Sequence, residues 1–377
     1  MTHITLVGAG LAGLVLADEL LSQGIAPEAI RLLDIGELCQ GASGAPATLL
    51  NPITGRSVFP KDGHLEAYLH SQQWLERLQE RFGSDWIHAL PTTRAILEDK
   101  GGRKARNSFE QAQEAGAYPE WVKHTWQEGE ARQTQTPELQ CDATLTFNVG
   151  YCLMLRTLLQ RLGAELQEKG VQFLSHHRLE SIQEQRGGGW ELHTNHGSLL
   201  TEHLVWTVGA GLEDWFPELP LSQTGGELLL GRLPQGVELP YILIRSGHLA
   251  PLPDGRCALG STYRHRPRTE EENDAWVQEW LFSRMEVVFP AVREMTDLEV
   301  WSGVRAVLVD NRFPVAGPVP EQSGLWVLGG LASKGVLWTA MLAEDLARQL
   351  QGAKSTLPAV VQTTRFERSL WTPRFSP

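Results

Sequence analysis

The stretch that most narrows the fold is ITLVGAGLAGLVLADELLSQG, residues 4–24, followed by AIRLLDI, residues 29–35. Ile4 to Val7 is apolar and has the length of a short buried strand. Leu14, Ala17, Leu20 and Leu21 recur at helical spacing and predict a helix over residues 11–23, stopped by Gly24. Ile30 to Ile35 predicts a second buried strand, with Asp34 at its end. Strand, helix and strand at this spacing make a βαβ unit, so the sheet is parallel and the class is α/β.

Between the first strand and the helix lie Gly8, Gly10 and Gly13, in the pattern G-x-G-x-x-G. Gly8 permits a tight turn, Gly10 admits a diphosphate close to backbone, and Gly13 lets helix and strand touch. The helix start, at Leu11 and Ala12, offers free N–H groups and the positive end of the dipole. Asp34 is placed to accept both hydroxyls of a ribose, and its charge disfavours a 2′-phosphate. A glycine turn without ligand is the alternative. The motif alone does not separate NAD from FAD. The loop LCQGASGAPATLLNPITGR, residues 38–56, is long and built of small residues. A cofactor stretched along it explains that composition and favours FAD.

Farther on, helices are predicted over 64–82, 153–168, 270–289 and 335–351, with a last strand at 325–329. Three alternating segments broken by glycine turns follow VQFLS and predict an antiparallel meander, and more strands fall between 226 and 262. The order implies two interleaved domains. The net charge of −12 is a poor match to nucleic acid, whose phosphates need neutralising. The basic run YRHRPR, 263–268, is followed at once by TEEEND and reads as a solvated turn. Four cysteines without C-x-x-C spacing argue against zinc or a disulfide framework. With no leader-like start, they give a cytoplasmic expectation. Residues 324–343 are apolar, but Lys334 and the glycines beside it make a membrane span costly.

With these segments in order, together with LVWTVGAG, CALGSTY, GVRAV, RFPVAG and GGLASKGV, the chain resembles the D-amino-acid oxidase superfamily of FAD enzymes over residues 3–351. Within it the sequence is similar to glycine oxidase. It is also similar to the FAD oxidase part of the bifunctional tRNA 5-methylaminomethyl-2-thiouridine enzyme, whose methyltransferase half has no counterpart in these residues. The resemblance implies a Rossmann-like FAD-binding domain from residues 1–60, 145–217 and 301–377. It also implies a smaller α+β substrate domain with a mixed or antiparallel sheet, from 61–144 and 218–300. Non-covalent FAD would lie along Gly8, Gly10, Leu11, Ala12 and Gly13, with its ribose at Asp34 and Ile35. Ala42, Ser43, Ala47, Thr48 and Leu49 would flank the diphosphate and ribityl chain. Leu179 would meet adenine through its backbone, and Gly209 would lie under the cofactor. Gly330, Leu331, Ala332, Ser333, Lys334, Gly335 and Val336 would meet the flavin ring.

The reaction implied is oxidation of a C–N bond in a small amine or amino acid by hydride transfer to flavin, with O2 as acceptor. Arg305 matches the arginine that clamps a substrate carboxylate, for which a guanidinium fork is suited. Lys334, at the start of the last helix, is expected to favour the anionic reduced flavin, the alternative being a turn lysine in solvent. His248 stands where relatives place an active-site tyrosine. Arg56, Tyr241 and Tyr263 are weaker candidates, and no metal site is expected. Other readings are oxidation of a tRNA wobble-uridine side chain, a flavin-binding redox sensor without turnover, and an NAD-only dehydrogenase.

Overall fold

The computed structural model describes residues 3–55, 58–129, 139–264, 268–269 and 272–374. Its organising layer is a six-stranded sheet in the order Val315–Pro318, Leu325–Gly329, His203–Trp206, Ile4–Val7, Ile30–Leu33 and Gln172–Leu174. All neighbours run parallel except the Val315–Pro318 edge. Alternate residues serve opposite faces. Ile4, Leu6, Leu32 and Val205 pack with the helices Leu11–Ser22, Leu155–Glu168 and Gly335–Leu350. Val7, Leu33, Leu204 and Trp206 pack instead on Leu179, Trp190 and Leu192 of the antiparallel meander Leu179–Glu184, Trp190–Thr194, Gly197–Thr201. Burial on both faces is why these strands are continuous apolar runs.

The sequence-based boundaries shift where side chains take over from the ladder. The second strand stops at Leu33, because the Asp34 carboxylate accepts from the Gly36 N–H at 2.9 Å and turns the chain. Ile35 is therefore not a buried strand residue; it is 58% exposed. The third meander segment divides near Glu202, and its second half, His203–Trp206, crosses into the parallel sheet. The helix His64–Phe82 lies on the last helix, where the Ser71 hydroxyl reaches the carbonyls of Val336 and Leu337 at 2.8 and 3.0 Å. Its Arg81 also pairs with Asp18 of the first helix at 2.9 Å.

A second, eight-stranded sheet roofs one end. Its order is Thr296–Leu308, Leu221–Arg232, Cys257–Gly260, His248–Pro251, Ile242–Ile244, Thr92–Ile96, Ala143–Phe147 and His124–Glu128. It is antiparallel throughout except where Ile242–Ile244 meets Thr92–Ile96. One face, with Leu229, Leu243, Leu249 and Leu259, is covered by Val277, Leu281 and Met285 of the helix Asp274–Met285. That helix begins at Asn273, whose side chain accepts from the Trp276 N–H at 3.0 Å. The other face, with Leu230, Ile242, Ala250 and Ala258, lies on Ala47 and Cys152. These belong to and flank a small sheet of Thr48–Leu50, Tyr151–Leu153 and Ile87–Ala89. Apolar periodicity does not mark the helix Lys100–Glu114. Its sequence, KGGRKARNSFEQAQE, buries only the narrow stripe Gly102, Ala105, Ser108, Phe109 and Ala112, and its start depends on the Asp99 carboxylate accepting from the Gly102 N–H at 2.7 Å. No helix among the described residues is long and apolar enough to cross a membrane.

Candidate functional site

Gly8 adopts φ 111°, and a methyl group there would come within 2.5 Å of the Thr207 carbonyl. A methyl group on Gly13 would stand 2.0 Å from the Gly8 carbonyl, so only glycine brings the first helix this close to the first strand. The turn is held from three directions. The Thr207 hydroxyl reaches the Val7 and Gly8 carbonyls, both at 2.9 Å, which brings the next glycine turn, Gly209–Gly211, alongside. The Ala9 N–H donates to Asp34 Oδ2 at 2.7 Å, so Asp34 has one oxygen on this turn and the other on Gly36. The Leu11 N–H donates to the Ser43 hydroxyl at 2.9 Å. Leu179 is reached through its neighbours, since the His177 N–H donates to the Asp34 carbonyl at 2.8 Å, while the Leu179 side chain stays in the core.

The amides of Ala12 and Gly13 meet no acceptor among the described residues. Uncapped amides at the start of a buried helix are a place for an anion. Beside them, Ala42–Gly44 forms a short turn whose Gly44 carbonyl accepts from Arg156 Nε at 2.7 Å. A side chain at Gly10 would strike the Ser43 hydroxyl, 2.8 Å away. The cradle thus fits a diphosphate running between the helix start and the 42–49 loop.

The second glycine turn lies against the first. A methyl group on Gly335 would be 3.1 Å from Leu11, so the last and first helices begin side by side. Gly330 has φ 64°, Ala332 has φ 51°, and Lys334 precedes the last helix without a capping side chain. The Ala332 N–H donates to the Ala306 carbonyl at 2.9 Å, and Leu331 bridges Val307. This turn is therefore tied to the strand that carries Arg305. The same strand also packs near the 42–44 and 209–211 turns.

Register puts Arg305 and His248 on one face of the roof. Thr224 pairs with Arg305, Leu228 with both Trp301 and Gly260, and Gly260 with His248. Counted by twos from Leu230, all of these share the face turned toward Ala47. Arg305 is half-buried, reaches the Ser261 hydroxyl at 3.3 Å, lies over the Tyr263 ring at 4.7 Å, and has no carboxylate partner among the described residues. Burial, and next the Arg305 guanidinium, hold His248 down at about 4, so its imidazole is neutral at pH 7. Lys334 donates from Nζ to the Arg312 carbonyl at 2.5 Å and lies over Phe313. Burial first, then Lys61 and Arg312, lower it to about 8. Tyr241 is in the opposite, helix-covered core of the roof, and Arg56 lies outside the described residues.

Sequence reasoning missed the residues that brace the site. Arg156 gives no signal at all, being an ordinary charged residue of a helix. Thr207 sits inside a recognised glycine motif without standing out. Arg94 carries a usable signal: it is a lone charge in the buried strand TTRAI. It is buried, donates to the Gly55 carbonyl at 2.9 Å and the Ile53 carbonyl at 2.5 Å, and so ties the roof to the 51–55 loop.

Comparison with known proteins agrees with this fold. A bifunctional protein MnmC for tRNA 5-methylaminomethyl-2-thiouridine biosynthesis from Thiobacillus denitrificans is 26% identical over 95% of this chain and 58% of its own length. The counterpart from Maricaulis maris is 28% identical over 96% of this chain and 54% of its own. The chain thus spans little more than half of these relatives. Glycine oxidase from Geobacillus kaustophilus superposes with a TM-score of 0.82 at 19% identity, covering 97% of this chain and 99% of its own. An L-amino acid deaminase from Proteus vulgaris superposes with a TM-score of 0.75 at 18% identity, covering 97% and 94%. Both share the fold. The DAO family model, described as FAD dependent oxidoreductase, matches residues 3–349, and the chain belongs to that family of FAD-dependent oxidoreductases.

Proposed function

We propose that this chain oxidises the C–N bond of a small amine that carries a carboxylate, with O2 as the electron acceptor. The observation that carries the reading is Arg305: a half-buried guanidinium without a carboxylate partner among the described residues, on the face turned to the cofactor loop and one residue from the strand's tie to the 330–335 turn. A partly desolvated cation in that position is satisfied by an anionic substrate group.

The parallel-sheet segments form the FAD-binding domain in this reading, and the eight-stranded sheet is the substrate roof. The uncapped amides of Ala12 and Gly13 hold the diphosphate, Asp34 the ribose, and the start of the last helix the flavin edge, without covalent attachment. When bound, FAD supplies a two-electron acceptor for the hydride of the substrate's α C–H bond. Arg305 fixes the carboxylate and thereby the α carbon. His248, neutral and beside Arg305, lines the pocket without adding charge. Lys334 and the last helix dipole favour negative charge at the flavin edge. The buried cysteines Cys39, Cys141, Cys152 and Cys257 suit a reducing cytoplasm.

The test is anaerobic bleaching of the flavin by a panel of amines and amino acids. Carboxylate-bearing amines are expected to bleach it, and Arg305→Ala should raise their KM steeply while FAD stays bound. A panel that leaves the flavin oxidised refutes the reading. The MnmC relatives support a second one, oxidation of a modified uridine side chain in tRNA. It requires tRNA binding that weakens steeply with salt, against a net charge of −12.

A further inference from the structure

The surroundings of Arg305 restrict how it meets a ligand. A methyl group at Gly226 would overlap the guanidinium, 1.5 Å from the nearer terminal nitrogen and 2.5 Å from Cζ. The end of the group therefore fills the space that a side chain on the neighbouring strand would take. The Tyr263 ring also packs on it, with its centroid 4.7 Å from Cζ. Gly226 pairs with Gly303, itself roofed by the indole of Trp301, which would come within 2.3 Å of a methyl group there. A glycine pair thus makes a floor, with the guanidinium on one half and the indole on the other. Tyr263 is 55% exposed, so burial of apolar surface does not account for its position.

We propose that Gly226 and Tyr263 are positioning residues, Gly226 by leaving room for the Arg305 guanidinium and Tyr263 by packing its ring on it, so that the remaining donors are held toward a planar carboxylate in preference to an uncharged group of equal shape. The inference rests on the carboxylate reading of Arg305. A guanidinium has strong donors only along its edge, and stacking against an aromatic face leaves them free while removing the rotational freedom of a long side chain. The Ser261 hydroxyl takes one of these donors and leaves the rest for a ligand.

The experiment titrates the FAD-loaded full chain with acetate and, separately, with acetamide, following the visible flavin band. Acetate is expected to perturb the band and acetamide is not. Tyr263→Phe keeps the ring and should bind acetate within about twofold of the parent. Tyr263→Leu should weaken acetate about threefold to fivefold, on the order of a solvent-exposed cation–aromatic contact. Gly226→Ala, which displaces the guanidinium, should weaken it at least as much. Tyr263→Leu is a surface change, so it reports even if Gly226→Ala does not fold. If Arg305→Ala abolishes acetate binding while Tyr263→Leu binds as the parent does, the holder is refuted and the carboxylate site stands. If the parent does not distinguish acetate from acetamide, or Arg305→Ala binds acetate unchanged, the carboxylate reading itself fails.

Discussion

At the Gly8–Gly13 turn the site is shaped by backbone and by side chains that cap backbone: Thr207 on two carbonyls, Asp34 on two amides, Ser43 on a third. On the roof the site is made of side chains standing on a sheet, with Arg305, His248 and Trp301 over glycines. The difference is one of tolerance. A backbone cradle is built to a fraction of an ångström and accepts no added atom, whereas a sheet face keeps its fold when the groups on it change. The first region suits a ligand that never varies, and the second suits one that does.

The sharpest way to break this contrast is Gly13→Ala. Its new methyl group would meet a backbone carbonyl at 2.0 Å, and neither partner is a flexible side chain. The variant should lose FAD on gel filtration and about 3 kcal/mol or more of stability in urea unfolding. Retention of both would mean that the two regions do not differ in tolerance.

His64 gives the next effect. It is fully buried in the first turn of the helix His64–Phe82, with Nδ1 3.3 Å from the Thr54 hydroxyl. Burial, then Lys334, lowers it to about 4. An unfolded histidine takes up a proton near pH 6.5, so between there and pH 4 the unfolded state binds the proton and the folded state does not. Stability therefore falls as pH falls across that window, by about 3 kcal/mol from this residue alone. His64→Gln should flatten that part of the stability–pH curve, measured by denaturant midpoints at pH 7 and pH 4.5.

Arg94 joins the two regions, and its removal tests how far the roof sets the loop. Arg94→Met leaves the buried Ile53 carbonyl and the more open Gly55 carbonyl without their donor and should cost about 1–3 kcal/mol. It should also weaken FAD binding in a fluorescence titration, while Gly13-type loss of the cofactor is not expected. The smallest effect is that of Lys334. Lys334→Met should lower the two-electron midpoint potential by tens of millivolts, where about 30 mV corresponds to 1.4 kcal/mol. Because Lys334 titrates at about 8, the difference from the parent should shrink above that pH. An unchanged potential at pH 7 would place Lys334 with the Arg312–Phe313 loop alone.

The cofactor half is legible in the sequence because its constraints are local. Gly8, Gly10, Gly13 and Asp34 obey spacings fixed by one strand, one turn and one helix, and each residue type answers a steric or charge demand that can be stated without the rest of the chain. The helix Lys100–Glu114 is not legible for the opposite reason: it buries a narrow stripe, and its start depends on Asp99 rather than on apolar periodicity. Ile35 misleads because a side-chain cap, which periodicity does not register, ends the strand one residue before Asp34.

From the sequence alone, then, came the parallel βαβ start and the glycine turns at 8–13 and 329–335, since short-range sterics suffice to specify them. Only the tertiary structure decided that Leu11 and Gly335 touch, that Arg305 stands beside the Ala332 tie, that Gly226 lies under its guanidinium, and that Arg94 reaches Ile53 and Gly55. Those contacts join residues scores to hundreds of positions apart, and their partners are chosen by sheet register and by which face of each strand is buried.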